Sequence, residues 1–411
     1  MRKIIVSLIS LITLQASAQQ ADIQLPKGFA ITNITKDKGR VRHIAVHNNG
    51  DLYLKLENLR YGKGILRLRD ADKDGVYEDT LAFGNYIGTG IALHKNYLYA
   101  SSNSAVFRYQ LDAANNIINP DQPERVVYGL VDKRQHASKS IAIDPKGNLY
   151  VNIGAPSNVC QERDRMQGSK GMMPCPILDS AGGIWKFRAD KLEQSYAEGV
   201  RYATGLRNVV GLDWNTEVNE LFVTVHGRDM LYQHFPELYD AKAGAELPAE
   251  TFYMVKQGDN VGWPYVYWDP FQNKKILSPE YGGDGKKEGA PDAIKPLVGF
   301  PGHLAPNALL FYTGNQFPEK YRNGAFIAFH GSWNRNPQVQ EGFYVVFVPM
   351  KNGQPTGDWE IFADGFTGKG KVSNPRDAMH RPCGLAMGPD GSLYVSDDAK
   401  GYVWKISYSA K

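Results

Sequence analysis

The sequence predicts an all-β protein, a six-bladed β-propeller with a long loop insertion over one face. The first ground is a recurring phrase: a short apolar strand, a turn with Gly or Asn, then Leu-Tyr or an equivalent opening a second strand. It reads HIAVHNNGDLYLKL, GIALHKNYLYAS, SIAIDPKGNLYVNIG, VVGLDWNTEVNELFVTV, a looser NALLFYTGNQFPEKYRNGAFIAF, and GLAMGPDGSLYVSDD. The second ground is spacing. The second strands begin near Leu52, Leu98, Leu149, Leu221, Ala325 and Leu393, and the first two intervals, 46 and 51 residues, match one four-stranded blade. Longer later intervals call for insertions. The third ground is that helix periodicity is scarce throughout.

Residues 1–18 read as a signal peptide: Arg2 and Lys3, an apolar run from Ile4 to Leu14, then Ala16-Ser17-Ala18 as a small-residue cleavage site. A periplasmic or secreted protein is expected after cleavage near Ala18, with residues 19–411 forming a single propeller domain. The segment GFAITNITK is placed to pair with the last blade and close the ring. Third strands with alternating apolar character follow in GKGILRLRD, AVFRYQLD, GGIWKFRAD, GFYVVFVPM and GYVWKISY. The largest insertion, about 232–306, is rich in Pro, Gly and aromatics and is expected to be an ordered excursion over one face.

Composition excludes several classes. With 42% hydrophobic and 22% charged residues the chain is not disordered. The formal charge of +4 falls to +2 without Arg2 and Lys3, too little for a nucleic-acid surface. No later apolar run approaches the ~20 residues that span a bilayer. Cys160, Cys175 and Cys383 are too few for a disulfide scaffold, but export permits one bridge, expected between Cys160 and Cys175; three unpaired thiols is the alternative. No CxxCH or zinc spacing occurs.

In a propeller, residues just before the first strands and just after the second strands converge on one end of the axis. The former are Arg42-His43, Thr89-Gly90, His136-Ala137-Ser138, Arg207-Asn208, Pro306-Asn307 and His380-Arg381. The latter include His226-Gly227-Arg228-Asp229, the run His330 to Arg335, and Ser396-Asp397-Asp398. Several arginines aimed at one pocket suit a ligand with several carboxylates or phosphates. For any single arginine, a cap on a strand end or a pair with a local acid remains open.

These stretches carry a resemblance. HASKSIAIDPKGNLYVNIG, YATGLRNVVGLDWN, VTVHGRDML, GDNVGWPY, AFIAFHGSWNR and RPCGLAMGPDGSLYVSDDAKGYVWKI resemble the sorbosone dehydrogenase branch of the PQQ-dependent soluble sugar dehydrogenases, from about Pro26 to Tyr408. That family implies a six-bladed propeller binding pyrroloquinoline quinone (PQQ) and Ca²⁺ on the axial face. It implies oxidation of an aldose or sugar-derived aldehyde, with an external quinone or cytochrome as electron acceptor. By the resemblance, His136 is the general base, Arg207 and Asn208 face the cofactor, and Arg207 stabilises charge on the reduced quinone. Arg335 and Arg381 would hold cofactor carboxylates, although the soluble glucose dehydrogenases have lysine at the former position. Gly227, Arg228 and Asp229 match the stretch around the cofactor's calcium. Those same enzymes place Asp before the catalytic histidine, where this chain has Gln135.

A second calcium is suggested by Asp70, Asp72 and Asp74 with Glu78, although Leu81 stands where an EF-hand needs Glu. A solvated acidic turn is the alternative. His43 and His47 lack a third ligand and receive no metal role. Trp263, Tyr265, Tyr267 and Trp268 suit either sugar stacking or packing of the insertion. A calcium-dependent lactonase-like hydrolase and a non-catalytic carbohydrate-binding propeller are the rival readings.

Overall fold

The computed structural model describes residues 22–368 and 370–409, so the expected signal segment lies outside the described residues. Six sheets, each with four antiparallel strands and two of them with a short fifth strand added in parallel, are arranged as six propeller blades. Their second strands are Leu52–Arg60, Tyr97–Ser101, Asn148–Ile153, Glu220–Val225, Ala325–Phe329 and Leu393–Asp397, each within a residue of its predicted start. The third strands of blades one, two, three, five and six also fall on the predicted phrases. Among the described residues no helix is long and apolar enough to cross a membrane.

The ring closes by strand exchange between the chain's ends. Phe29–Thr35 is the outermost strand of blade six and pairs antiparallel with Val403–Tyr408. Its lead residue, Phe29, packs edge-on against Phe317, Tyr321 and Phe362, with centroids 4.8, 5.4 and 5.0 Å away. Pairing Phe29–Thr35 here covers the edge that Val403–Tyr408 would otherwise expose.

Apolar residues do not gather in one core. Among the described residues, six clusters fill the gaps between neighbouring blades and two smaller ones lie under the excursion and the disulfide loop; the gap between blades five and six, for example, holds Phe326, Val345 and Phe347 against Leu385, Val395 and Trp404. Both faces of each twisted sheet are therefore covered by the next sheet, and residues of either parity on the strands are apolar.

A polar position interrupts this pattern at the site end of the second strands. The fourth residue of the repeated phrase is Lys55, Ser101, Asn152, Thr224, Ala328 and Ser396 in blades one to six. Five of the six reach the next blade. Lys55 Nζ donates to the Tyr86 carbonyl, Ser101 Oγ to Lys139, Thr224 Oγ1 to Pro306 and Ser396 Oγ to Arg42, at 2.7, 2.5, 3.1 and 2.6 Å; Asn152 Oδ1 accepts from Val209 N at 3.2 Å. Glycine on the blade's own first strand makes room for this bridge. A Cβ on Gly211 would lie 2.4 Å from Thr224 Oγ1, and one on Gly384 2.7 Å from Ser396 Oγ and 2.5 Å from the Arg42 carbonyl.

The segment 232–306 differs from the single excursion expected. It supplies two strands of blade four, Glu250–Val255 and Val298–Phe300, paired with the second strand and with each other. The excursion is thus divided. One part carries the short helices Leu231–His234 and Ala241–Glu246. The other runs up the edge of blade three, where Asp259–Asn260 pairs parallel with Ala203 and Thr204, and forms the hairpin Val266–Asp269 with Lys274–Leu277. The missed third strand, Glu250–Val255, lies beyond the two short helices.

Ser396 is fully buried, and Ser396→Ala would leave Gly384 N–H and the Arg42 carbonyl without the hydroxyl between them. The expected loss is about 1–3 kcal/mol. It should read as a lower urea midpoint at unchanged slope.

Candidate active site

The polar loops converge as the repeat predicts, but their side chains divide into two groups. One surrounds Asp229. Its Oδ2 accepts from Arg207 Nη2 at 2.7 Å and Arg165 Nη2 at 2.8 Å, and its Oδ1 from Asn334 Nδ2 at 2.7 Å. Asn158 bridges the Asp229 backbone, taking its N–H at 2.8 Å and donating to its carbonyl at 3.0 Å. Burial opposes the charge on Asp229, but Arg207 and Arg165 outweigh it and hold the carboxyl well below the usual range.

The other group surrounds Asp398, whose side chain is wholly buried. Arg42 Nη1 donates to its Oδ2 at 2.7 Å, and His330 Nε2 lies 2.6 Å from its Oδ1. Arg381 donates to His330 Nδ1 at 2.9 Å and to the His330 and Gly331 carbonyls at 3.1 and 2.6 Å. Guanidinium can only donate, so His330 Nδ1 carries the lone pair and Nε2–H faces the carboxylate. Arg42 Nη2 and Arg381 Nη1 have no hydrogen-bond partner among the described residues and remain available to a ligand.

His136 lies five residues before the first strand of blade three, Ile141–Ile143, in the left-handed region, at φ +52°. Non-glycine residues held there mark sites where the surroundings over-determine the backbone. Its Nδ1 lies 2.5 Å from the Ala155 carbonyl, an oxygen that can only accept. Nδ1 therefore bears the proton, and Nε2 presents a free lone pair. Gly154 permits this approach, since a Cβ there would meet His136 Cβ and its carbonyl at 2.6 Å, with Asn208 Oδ1 at 3.1 Å. Desolvation, followed by the Arg207 charge, lowers the imidazole to about 3, so it is neutral at physiological pH. His226 is lowered to about 3 by the same two causes, and its buried Nε2 has no partner.

Other site residues predicted from the sequence are placed as follows. Arg207 is buried, with Nε on the Asn158 carbonyl, Nη1 on the Gly227 carbonyl, and Nη2 shared by Asn158 Oδ1 and Asp229. Asn208 is buried beside His136. Arg335 does not join the cofactor-facing set expected of it. Its guanidinium clamps the end of the helix Ala241–Glu246, donating to the Ala245 and Gly302 carbonyls, to Val339 O and to Glu246 Oε1. The Arg228 side chain is buried against Glu280 at 2.5 Å. Asp229, expected near a calcium, already has both oxygens taken by donors. The carboxylates of Asp70, Asp72 and Glu78 do converge within 4.8 Å, while Asp74 Oδ1 turns to accept Val76 N at 2.7 Å. That loop joins the third and fourth strands of blade one, at the opposite end of the blade from His136.

Cys160 and Cys175 are disulfide-bonded, with Cα atoms 6.2 Å apart, and Cys383 is a buried thiol that burial pushes up to about 12. Trp263, Tyr267 and Trp268 are buried and pack the hairpin, the Trp263 indole N–H donating to the Asn158 carbonyl at 2.9 Å. Trp333 is the exposed aromatic at this end, 55% accessible. Sequence reasoning missed Arg165, Asn158 and Glu280. They lie in segments without repeat, where no periodicity tells which side chain returns to the axis.

Fold and site define a six-bladed propeller with one strongly polar axial end, to whose loops a neutral histidine and two partly uncommitted arginines belong. The chain belongs to the TrAA12-like family, whose model matches residues 23–409. A protein of Borreliella burgdorferi without assigned activity is 26% identical over 98% of this chain and 95% of its own. The pyrroloquinoline quinone-dependent sugar dehydrogenase of Hypocrea jecorina is 23% identical over 90% of this chain and 85% of its own. The holo PQQ domain of Coprinopsis cinerea pyranose dehydrogenase superposes with a TM-score of 0.74 at 22% identity, covering 94% of this chain and 97% of that one. The family match agrees with the resemblance read from the motifs, without specifying the sorbosone branch.

The lowered histidine has a consequence for stability. An unfolded histidine takes a proton near 6.5, whereas His226 in the fold resists protonation down to about 3. Between those values the unfolded chain binds more protons, so the stability tied to His226 is complete above 6.5 and drains as pH falls. His226→Gln should flatten the decline of Tm between pH 6.5 and 4 relative to the parent protein. Parallel Tm curves would contradict the assignment.

Proposed function

We propose that the protein is an exported PQQ-dependent dehydrogenase that oxidises an aldose or sugar-derived aldehyde, with His136 as general base. The observation that supports this most is the His136 tautomer: Nδ1–H is fixed on the Ala155 carbonyl, leaving Nε2 to take a proton from a sugar hydroxyl. PQQ, when bound, supplies a quinone that accepts hydride from the substrate carbon.

The residues present suit such a planar polyanion. Arg42 and Arg381 keep uncommitted N–H groups, and the buried His226 Nε2 is unpartnered. Asn208, beside His136, adds a polar contact. Arg207 acts through charge and through its grip on Asp229 rather than through a free N–H fork. Desolvation lowers His136 most and the Arg207 charge next; an anion settling near Arg207 would counter the second of these and raise the basicity of the imidazole.

Calcium fits less well beside the cofactor than the resemblance implies. Asp229 already accepts from two cations, Arg207 and Arg165, and from Asn334, and the Gly227 carbonyl accepts from Arg207, so positive charge already occupies this spot. The Asp70, Asp72 and Glu78 carboxylates are the better calcium candidates, and an ion there would serve the loop. The lactonase reading requires free axial carboxylates. Asp397 and Asp398 are instead taken by His380 and the Arg381 N–H, and by His330 and Arg42.

Purified protein mixed with PQQ, with and without Ca²⁺, should reduce an artificial electron-accepting dye in the presence of particular aldoses or sugar aldehydes. His136→Ala should lower kcat about 10²- to 10⁴-fold, with PQQ binding largely kept. Full activity in that variant would refute the mechanism. Sugar-lactone hydrolysis without added quinone would favour the hydrolase.

A further inference from the structure

His136 is held in a left-handed conformation, and the residue before it shows what holds it. Gln135 is gripped at both ends of its amide by the loop that the Cys160–Cys175 bond closes. Its Nε2 donates to Asp164 Oδ2 at 2.6 Å, and its Oε1 accepts from Arg165 Nε at 2.9 Å. Only this amide orientation satisfies a carboxylate and a guanidinium together. Asp164 Oδ1 is fixed in turn by Ser157 Oγ at 2.6 Å and Asn158 N at 2.9 Å. Arg165 continues past Gln135 to Asp229 Oδ2, the oxygen that Arg207 also reaches.

The loop is braced internally. Buried Gln161 accepts from Arg165 N at 3.0 Å and donates to the Met166 and Ser169 carbonyls at 3.0 and 3.2 Å. Arg165 is itself left-handed, at φ +58°, as is Cys160 at +54°. Three strained residues thus meet in one hydrogen-bonded unit whose ends are tied covalently.

We propose that Asp164 and Arg165 are positioning residues: through Gln135, the disulfide-closed loop holds His136 in the backbone conformation that puts Nδ1–H on Ala155 and leaves Nε2 free. The functional meaning of this rests on the base role proposed for His136. Neither residue is assigned a contact with the reacting atoms.

The test reads the ring ¹⁵N shifts of His136 in cofactor-free protein at neutral pH, with His136→Gln for assignment among the nine histidines. The native protein should show one tautomer, protonated on Nδ1. Arg165→Ala, the isosteric Asp164→Asn, and the Cys160→Ser/Cys175→Ser pair should each shift His136 toward the Nε2–H form, while the remaining histidines keep their signals. With PQQ and sugar, kcat should fall about 10²-fold at nearly constant KM, as expected for a misplaced base. Arg165→Lys keeps a cation near Asp229 without a fork for Gln135, and should restore little.

An unchanged His136 tautomer in Arg165→Ala and Asp164→Asn would overturn the proposal, whether or not the protein turns over sugar. Full rescue by Arg165→Lys would overturn it as well, since charge at Asp229 would then explain the effect. Tautomer shifts as expected in a protein that shows no PQQ-dependent turnover would uphold the positioning and remove the proposed reaction. The NMR readout therefore separates failure of one from failure of the other.

Discussion

The structure depends on contacts between adjacent blades at the site end of each sheet, where strand one begins and strand two ends. Apolar gaps press the sheets together, but apolar contact alone tolerates sliding. The polar residue at the fourth position of the second strand sets the register between sheets, because its bond to the next blade's backbone is directional. Lys139, Val209, Pro306 and Arg42, the backbone partners of four of these bridges, sit beside or among the residues of the polar axial end. Scaffold and site are thus fixed by the same bonds. Blade five, with Ala328, lacks the bridge, and there the link to blade six passes through the site: Arg381 holds His330 and Gly331, and Asn307 Nδ2 lies 3.7 Å from Cys383 Sγ.

Arginines in this molecule divide by what they leave unsatisfied. A guanidinium has five N–H donors, and one that spends most of them on protein oxygens is an element of structure. Arg335 and Arg207 are of that kind, the first securing a helix end and the second a buried aspartate. Arg42 and Arg381 each share a buried network around Asp398 and keep one end of the fork open. Burying so much charge is costly without pairing. Asp229 and Asp398 provide that pairing, and in doing so they cease to be available as metal ligands or bases. His136 and His226 each keep an unpartnered Nε2 at this end, and the base role is proposed for His136, whose Nδ1 lies on the Ala155 carbonyl.

The fold was legible in the sequence because a propeller repeats its instructions. Six copies of one phrase located every second strand within a residue, and the segment at Phe29 pairs with the last blade as expected of it. What failed to announce itself was the third strand of blade four, Glu250–Val255, which lies beyond the two short helices. Site positions were legible as backbone addresses: the topology alone sends His136, Arg207 and Arg381 to one end. Side-chain direction was not. Nothing in HGSWNR says that its arginine folds back onto the Ala241–Glu246 helix, because that depends on a partner some 90 residues away in the chain. Arg165 was invisible for the converse reason, lying in a loop without repeat that only the disulfide and Gln161 bring back to the axis.

The central claim is that the ligand lies at the axial end and is held by the arginines whose forks remain open. The most direct measurement is a titration of PQQ into purified protein, followed by quinone absorbance, for the parent chain, Arg381→Gln and Arg335→Gln. Saturable binding that weakens strongly in Arg381→Gln, while Arg335→Gln keeps its affinity and loses only thermal stability, is the predicted result. Affinity that falls with Arg335→Gln and is indifferent to Arg381→Gln would contradict the account.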